Sequence, residues 1–186
     1  MRRRMHLVSL ATVAILALVL STAGQTDVPN ARAWRQVLAE HLHEYGAHNW
    51  IVVADSAYPM HAREGIETMV TEAEQLEVLQ ALGAMIDSHK HLRANATIDA
   101  ELKFVTDTDA PGIANYRDRL VRVLERRPPG TLPHDQAIAR IDKAGQTFRV
   151  LVLKTNSVLP YSTVYFELDA GYWSPEAEKR LRETMR

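Results

Sequence analysis

The chain has 186 residues, with 22 Lys or Arg against 23 Asp or Glu and a formal net charge of −1. This length suits one globular domain with a single core, and the charge balance provides no positive field for a nucleic-acid backbone. No cysteine is present, which excludes disulfides, thiol chemistry and cysteine metal sites.

The first 23 residues have the pattern of a secretory signal peptide. Three arginines at positions 2–4 precede an apolar run at 7–20, and small residues lead to a cleavage site near Ala23. The run is shorter than the roughly 20 residues that a membrane span needs, although an uncleaved anchor stays open as an alternative. We therefore predict an exported protein, periplasmic or secreted, whose mature domain at 24–186 has no stable membrane insertion.

Hydrophobic spacing predicts helices and strands that alternate along the rest of the chain. The predicted helices cover residues 33–45, 67–89, 113–124 and 134–144, and a charged helix follows Pro175. The predicted strands cover residues 50–54, 102–106, 148–153 and 163–168. This alternation is typical of an α/β domain whose strand-end loops carry function.

Asp55 stands where the first predicted strand ends, in the stretch HNWIVVADSAYPMH. The residue just past the carboxyl end of a buried strand points toward the ligand crevice of an α/β sheet. The same carboxylate can instead accept hydrogen bonds from the amides of the next turn. His48 before the strand and His61 after the loop are candidate partners, although each alone also suits an ordinary loop or surface position.

Tyr161 is a second candidate, because it lies between a loop and the last predicted strand in KTNSVLPYSTVYFEL. Its hydroxyl can donate or accept at a rigid position, although a tyrosine packed over the sheet edge fits equally well. The chain has no HExxH, no carboxylate cluster at ligand spacing, no GxGxxG or Walker sequence and no GxSxG elbow. We predict neither a metal nor a cofactor.

These motifs resemble the RbsD/FucU family of D-ribose pyranases and L-fucose mutarotases, the FucU type more closely. FucU-type members continue their first strand as Asp-Ala-His-Phe-Pro-Ala-His, and the segment from Asp55 to His61 repeats the aspartate, proline and final histidine at that spacing. The family then has Tyr-x-Asn before its last strand and a terminal Ala-Gly. This chain has Tyr161 and Thr163 at the first motif and Ala-Gly at 170–171.

The chain also departs from the family pattern. The family's turn histidine is eight residues before the aspartate, whereas His48 is seven residues before Asp55. Asn49 replaces the aspartate of that turn, and Thr163 replaces the family's asparagine. A His-Asp-Gln segment beginning at His134 matches the His-Glu-Gln of RbsD-type members if about five residues are inserted.

The resemblance implies a layered α/β fold with a central, mostly parallel sheet flanked by helices. It also implies a ring-like homo-oligomer, often a decamer, with sites between subunits. The implied activity is cofactor-free interconversion of the ring forms or anomers of a monosaccharide such as ribose or fucose. The implied catalytic residues are His48, Asp55 and Tyr161, and the implied sugar-binding residues are His61, Thr163, His134 and Asn49.

Two other functions remain open at this point. The altered turn and Thr163 favour an exported sugar-binding protein of the same fold that has lost turnover. A structural oligomer without a ligand is the third hypothesis.

Overall fold

The computed structural model describes residues 29–185, with side chains from Trp34 onward. The predicted signal peptide at 1–23 lies outside the described residues. Five α-helices and six strands fill the described range. They are α1 Pro29–Glu44, β1 Trp50–Ala54, β2 Ile66–Val70, α2 Gln75–Ser88, β3 Leu92–Asp99, α3 Ile113–Val123, β4 Gly130–Leu132, α4 His134–Ala144, β5 Val150–Lys154, β6 Val164–Ala170 and α5 Pro175–Thr184.

The six strands form one sheet in the order β2-β5-β1-β6-β3-β4. Five strands run parallel, and β6 pairs antiparallel with both β1 and β3. β1 is central and buried along its whole length. Its continuous run of apolar, mostly β-branched residues suits this position. The predicted α/β fold with a mostly parallel sheet is confirmed.

Helices cover both faces of this sheet. Ile51 and Val53 of β1 point into a large core shared with α1, α2 and α3. Trp50 and Val52, on the alternate positions, point into a smaller core covered by α4. Among the described residues, no helix has both the length and the apolar character needed to cross a membrane.

Two edges of the sheet matter for function. The carboxyl edge is where β1 and β3 end and β6 begins, at Asp55, Asp99 and Thr163. The amino edge is where β1 begins and β6 ends, near His48.

Most predicted elements are confirmed, and two are wrong. The strand at 50–54 and the helix at 134–144 match the structure, and the helices at 33–45 and 113–124, the last two strands and the helix after Pro175 agree within a few residues. The predicted helix at 67–89 is instead β2 followed by α2. β2 is an edge strand that pairs only with β5 in the sheet, and its apolar residues continue the helical spacing of α2.

The predicted strand at 102–106 is instead a 3₁₀ helix, Ala100–Phe104. Only Leu102 of this helix turns into the core, while Phe104 is 73% exposed. The third strand, Leu92–Asp99, lies just before it and was missed.

Candidate functional site

Polar side chains from four strand ends gather at the carboxyl edge. Asp55 follows β1, Asp99 ends β3, Thr163 precedes β6 and His134 begins α4 directly after β4. Because β6 lies between β1 and β3, the backbones of Asp55 and Asp99 flank that of Thr163, roughly 10 Å apart at the usual strand spacing. The topology therefore brings together residues that are up to 108 positions apart in the chain.

The half-buried carboxylate of Asp55 closes the turn that follows it. The Ala57 N–H donates to Oδ1 at 2.8 Å, so the turn-capping alternative is observed. The buried hydroxyl of Thr163 donates to Oδ2 at 3.4 Å. These bonds fix the carboxylate at the rim and leave lone pairs for a further donor.

His134 is held at the same rim by a buried carboxylate. Its Nδ1 lies 2.9 Å from Oδ2 of Asp99, and the side chains of His134 and Asp99 are 33% and 0% exposed. The backbone N–H of His134 donates to both carboxylate oxygens of Glu101 at 3.1 Å, which fixes the first residue of α4. The imidazole is thus bound through one nitrogen, and its side chain stays partly exposed at the rim.

Tyr161 lies against His134. The two rings meet edge-on, with centroids 5.4 Å apart and an angle of 87° between their planes. Tyr161 has a left-handed backbone with φ of 57°, which is uncommon for an aromatic residue and is a form of strain found at functional sites. Its side chain remains accessible, so a phenol and an imidazole share one exposed rim.

A buried polar cluster lies behind this rim. The hydroxyls of Tyr58 and Tyr165 and Oδ1 of Asp99 are buried, and the Tyr165 hydroxyl interacts with both Tyr58 and Asp99. Burial raises the pKa of the Asp99 carboxyl, and the His134 hydrogen bond opposes that rise. Burial also raises the pKa of both phenols, and the Asp99 charge adds to this, so Tyr58 and Tyr165 stay neutral.

His48 and Asn49 lie at the amino edge instead. His48 is exposed with φ of 71°, its N–H donates to the Leu168 carbonyl at 2.9 Å, and its ring lies 5.2 Å from that of Phe148. Asn49 accepts a hydrogen bond from the Gly46 N–H at 2.9 Å and closes the turn after α1. Seven residues of extended chain separate His48 from Asp55, about 23 Å, so one chain does not bring them together.

The His61 side chain is largely buried beside Tyr58 and α4, so it does not line the exposed rim. Its ring is 5.9 Å from that of Tyr58, and its Nδ1 is 4.0 Å from Asp142 on α4. Burial lowers the pKa of this imidazole, with the Asp142 charge opposing, and its Nε2 has no hydrogen-bond partner. Among the predicted site residues, the structure therefore gathers Asp55, Tyr161, Thr163 and His134, and places the other three elsewhere.

Asp99 is the functional candidate that sequence reasoning missed. Its strand was not predicted, so nothing marked it as a strand-end carboxylate. The signal that could have found it is the alternation of Leu92, Ala94, Ala96 and Ile98 on one face of β3, which is weak because two of these residues are alanines.

A cleft of about 360 Å³ also opens at this edge, on the face covered by α2 and α3. Gln75, Tyr116, Arg119 and Leu159 contribute to its lining, and Asp55, Tyr161 and His134 do not. Within the described range, no group of three or more histidine, aspartate and glutamate side chains is placed to hold a metal ion. The chemistry that the rim offers is hydrogen bonding and proton transfer by a carboxylate, an imidazole and a phenol.

Solved structures share this fold. Bacillus subtilis RbsD, in complex with D-ribose, superposes with a TM-score of 0.51 and 17% identity over 72% of this chain and 92% of that chain. The fucose mutarotase of Streptococcus pneumoniae, in complex with L-fucose, gives a TM-score of 0.50 and 16% identity over 70% of this chain and 89% of that chain. No family model matches the chain, and no curated protein matches its sequence. The chain has an RbsD/FucU-like fold, as its motifs predict.

Proposed function

We propose that this protein interconverts the ring forms or anomers of a monosaccharide without a cofactor. The observation that carries the proposal is the rim itself. Asp55, Tyr161 and His134 converge at the carboxyl edge of a fold shared with proteins solved with D-ribose and L-fucose. Open α/β sheets bind ligands at this edge.

The reaction needs one proton acceptor and one proton donor. Nε2 of His134 takes the proton from the anomeric hydroxyl, the bond between the anomeric carbon and the ring oxygen breaks, and the carbonyl forms. The ring oxygen takes a proton from the hydroxyl of Tyr161. When the ring closes on the other face of the carbonyl, both transfers run in reverse, so each group regains its starting proton.

The chemistry of the side chains assigns these roles. Nδ1 of His134 is engaged by Asp99, so its other nitrogen is available as the base, whereas the Asp55 carboxylate already accepts from Ala57 and Thr163. Asp55 then accepts a hydrogen bond from another sugar hydroxyl and fixes the sugar on the rim. Because the uncatalysed reaction already proceeds in water, positioning these groups is sufficient for useful acceleration.

We further propose that the site is completed in a homo-oligomer, with the amino edge of one subunit facing the rim of the next. The rim of one chain is open, whereas sites for small ligands usually enclose most of the ligand. His48 and Asn49 lie at the amino edge, where Phe148, Tyr172 and Trp173 are exposed, and aromatic residues are enriched in interfaces. A decamer-like ring would repeat this contact between neighbouring subunits. From the signal-peptide pattern, we also propose that the protein is exported to the periplasm or the extracellular space.

Saturation-transfer NMR on a panel of free sugars, including D-ribose and L-fucose, tests the reaction. We expect wild-type protein to accelerate exchange between forms of at least one sugar, and His134→Gln and Asp55→Asn to lose about 10²-fold or more of that acceleration. Glu67→Gln is the matched control, since Glu67 is the carboxylate partner of His41 away from the rim. Exchange rates unchanged by wild-type protein across the whole panel would exclude the proposal.

A sugar-binding protein without turnover is the second candidate. The observation that favours it is the placement of His48 far from Asp55 in one chain. Calorimetry that detects binding of a monosaccharide, together with no effect on its exchange rate, would identify this function instead.

A further inference from the structure

We infer that Asp99 is a positioning residue that fixes the tautomer of His134, so that Nε2 is the nitrogen presented to the substrate. This inference rests on the proposed function for its catalytic consequence. Its structural content, the location of a proton on one imidazole, can be measured without any substrate.

The hydrogen bond between the two residues determines the tautomer. Nδ1 of His134 is 2.9 Å from Oδ2 of Asp99, and the Asp99 side chain is fully buried. An ionised carboxylate only accepts hydrogen bonds, so Nδ1 must carry a proton. A neutral imidazole carries one proton, and Nε2 is therefore left with a free lone pair.

The surroundings hold the ring in this orientation. Glu101 fixes the backbone N–H of His134, and the Tyr161 ring stands edge-on against the imidazole. A ring flip would place a carbon atom against the Asp99 carboxylate and remove the hydrogen bond from Nδ1 of His134. An unpaired buried carboxylate is costly, so the flipped state is disfavoured.

The cost of burying Asp99 also points to a function. The fully buried Asp99 carboxylate interacts with His134 and with the neighbouring Tyr165 hydroxyl. A site that served only packing would be more stable with an apolar residue of similar size. A buried carboxylate that accepts a hydrogen bond from one nitrogen of an accessible imidazole leaves the other nitrogen available as a base.

Nitrogen-15 NMR of the neutral imidazoles tests the inference directly, with His134→Gln to identify the His134 signals. We expect wild-type His134 to be protonated on Nδ1, and Asp99→Asn to give a mixed or reversed population, because an amide can donate as well as accept. Glu67→Gln, which removes the carboxylate from the His41 pair, should leave the His134 signals unchanged. A wild-type His134 protonated on Nε2 would overturn the inference.

The catalytic consequence is tested by the exchange kinetics of the same variants. In Asp99→Asn we expect kcat to fall about 10²-fold with KM within about twofold, because binding contacts remain while the base is misdirected. Full activity in a folded Asp99→Asn protein would refute the positioning role. If wild-type protein accelerates no sugar exchange, the proposed function fails, while the NMR result still decides the tautomer.

Discussion

At the residue scale, the buried Asp99 side chain affects both the stability of the fold and the proposed site. It is the only buried Asp, Glu, Lys or Arg among the described residues, and it sits between His134 on the outside and the Tyr58 and Tyr165 hydroxyls on the inside. Removing a carboxylate from water is expensive, and the interactions with His134 and Tyr165 offset only part of that cost. The residue is therefore expected to destabilise the fold at neutral pH while serving the site.

The pH dependence of stability checks this expectation. Burial raises the pKa of Asp99, so the folded protein binds a proton there more readily than the unfolded chain does. Stability from this group therefore falls as pH rises from the ordinary aspartate range through the raised folded pKa, and it is regained on acidification. We expect urea unfolding to show wild-type protein gaining stability relative to Asp99→Asn as pH falls from 7 toward 4.

Comparing the two proteins removes the other titrating groups from the result. Asp142 and Asp169 have lowered pKa values and lose stability on acidification, but they do so equally in both proteins. A stability difference independent of pH between 7 and 4 would show that Asp99 is not a strained buried carboxylate.

At the element scale, the elements predicted correctly are those whose burial leaves a clear apolar pattern in the sequence. β1 is covered on both faces, so its five residues are all apolar, and its end at Asp55 is visible in the sequence. β2 pairs with a single strand and β3 buries small alanines, so neither has a clear strand pattern. The order of the strands, which places His134 beside Tyr161 and sends His48 to the opposite edge, depends on long-range pairing that local periodicity does not contain.

Gly65 illustrates how an edge strand is fixed by contacts that sequence periodicity does not reveal. A Cβ at Gly65 would overlap the Gly145 carbonyl oxygen and lie 3.0 Å from the Phe148 carbonyl oxygen. The Gly65 carbonyl also accepts a hydrogen bond from the Val150 N–H at 2.9 Å, where β5 begins. The approach of β2 to β5 therefore requires a residue without a side chain.

Gly65→Ala is expected to destabilise the protein by about 1–3 kcal/mol, because two backbone segments must move to admit the methyl group. Gly46→Ala is the matched control, since a Cβ there has nothing within 4 Å. That variant should be neutral or gain up to about 1 kcal/mol from the lower entropy of its unfolded chain. Denaturant unfolding measures the stability of both variants. Equal midpoints would show that the close backbone contacts of Gly65 do not determine stability.

At the scale of the whole molecule, the two groups of predicted site residues lie at opposite edges of the sheet. Asp55, Tyr161, Thr163 and His134 belong to the carboxyl edge, and His48 to the amino edge, about 23 Å away along β1. A contact between unlike edges is heterologous, and heterologous contacts close into rings when the rotation between subunits allows it. Both groups can then serve one site, provided that they come from different subunits.

Mixing inactive subunits tests this arrangement. We expect His48→Gln and Asp55→Asn each to be impaired alone, because every site in either homo-oligomer lacks one of the two side chains. In mixed oligomers assembled by co-expression at equal amounts, a site takes Asp55 from one subunit and His48 from the next, so about one quarter of sites are intact. Saturation-transfer NMR should show that fraction of wild-type exchange.

Mixing Asp55→Asn with His134→Gln is the control, since both residues belong to one rim and no site regains both. Equal recovery in the two mixtures, or full activity of His48→Gln alone, would mean that the amino edge does not contribute to the site.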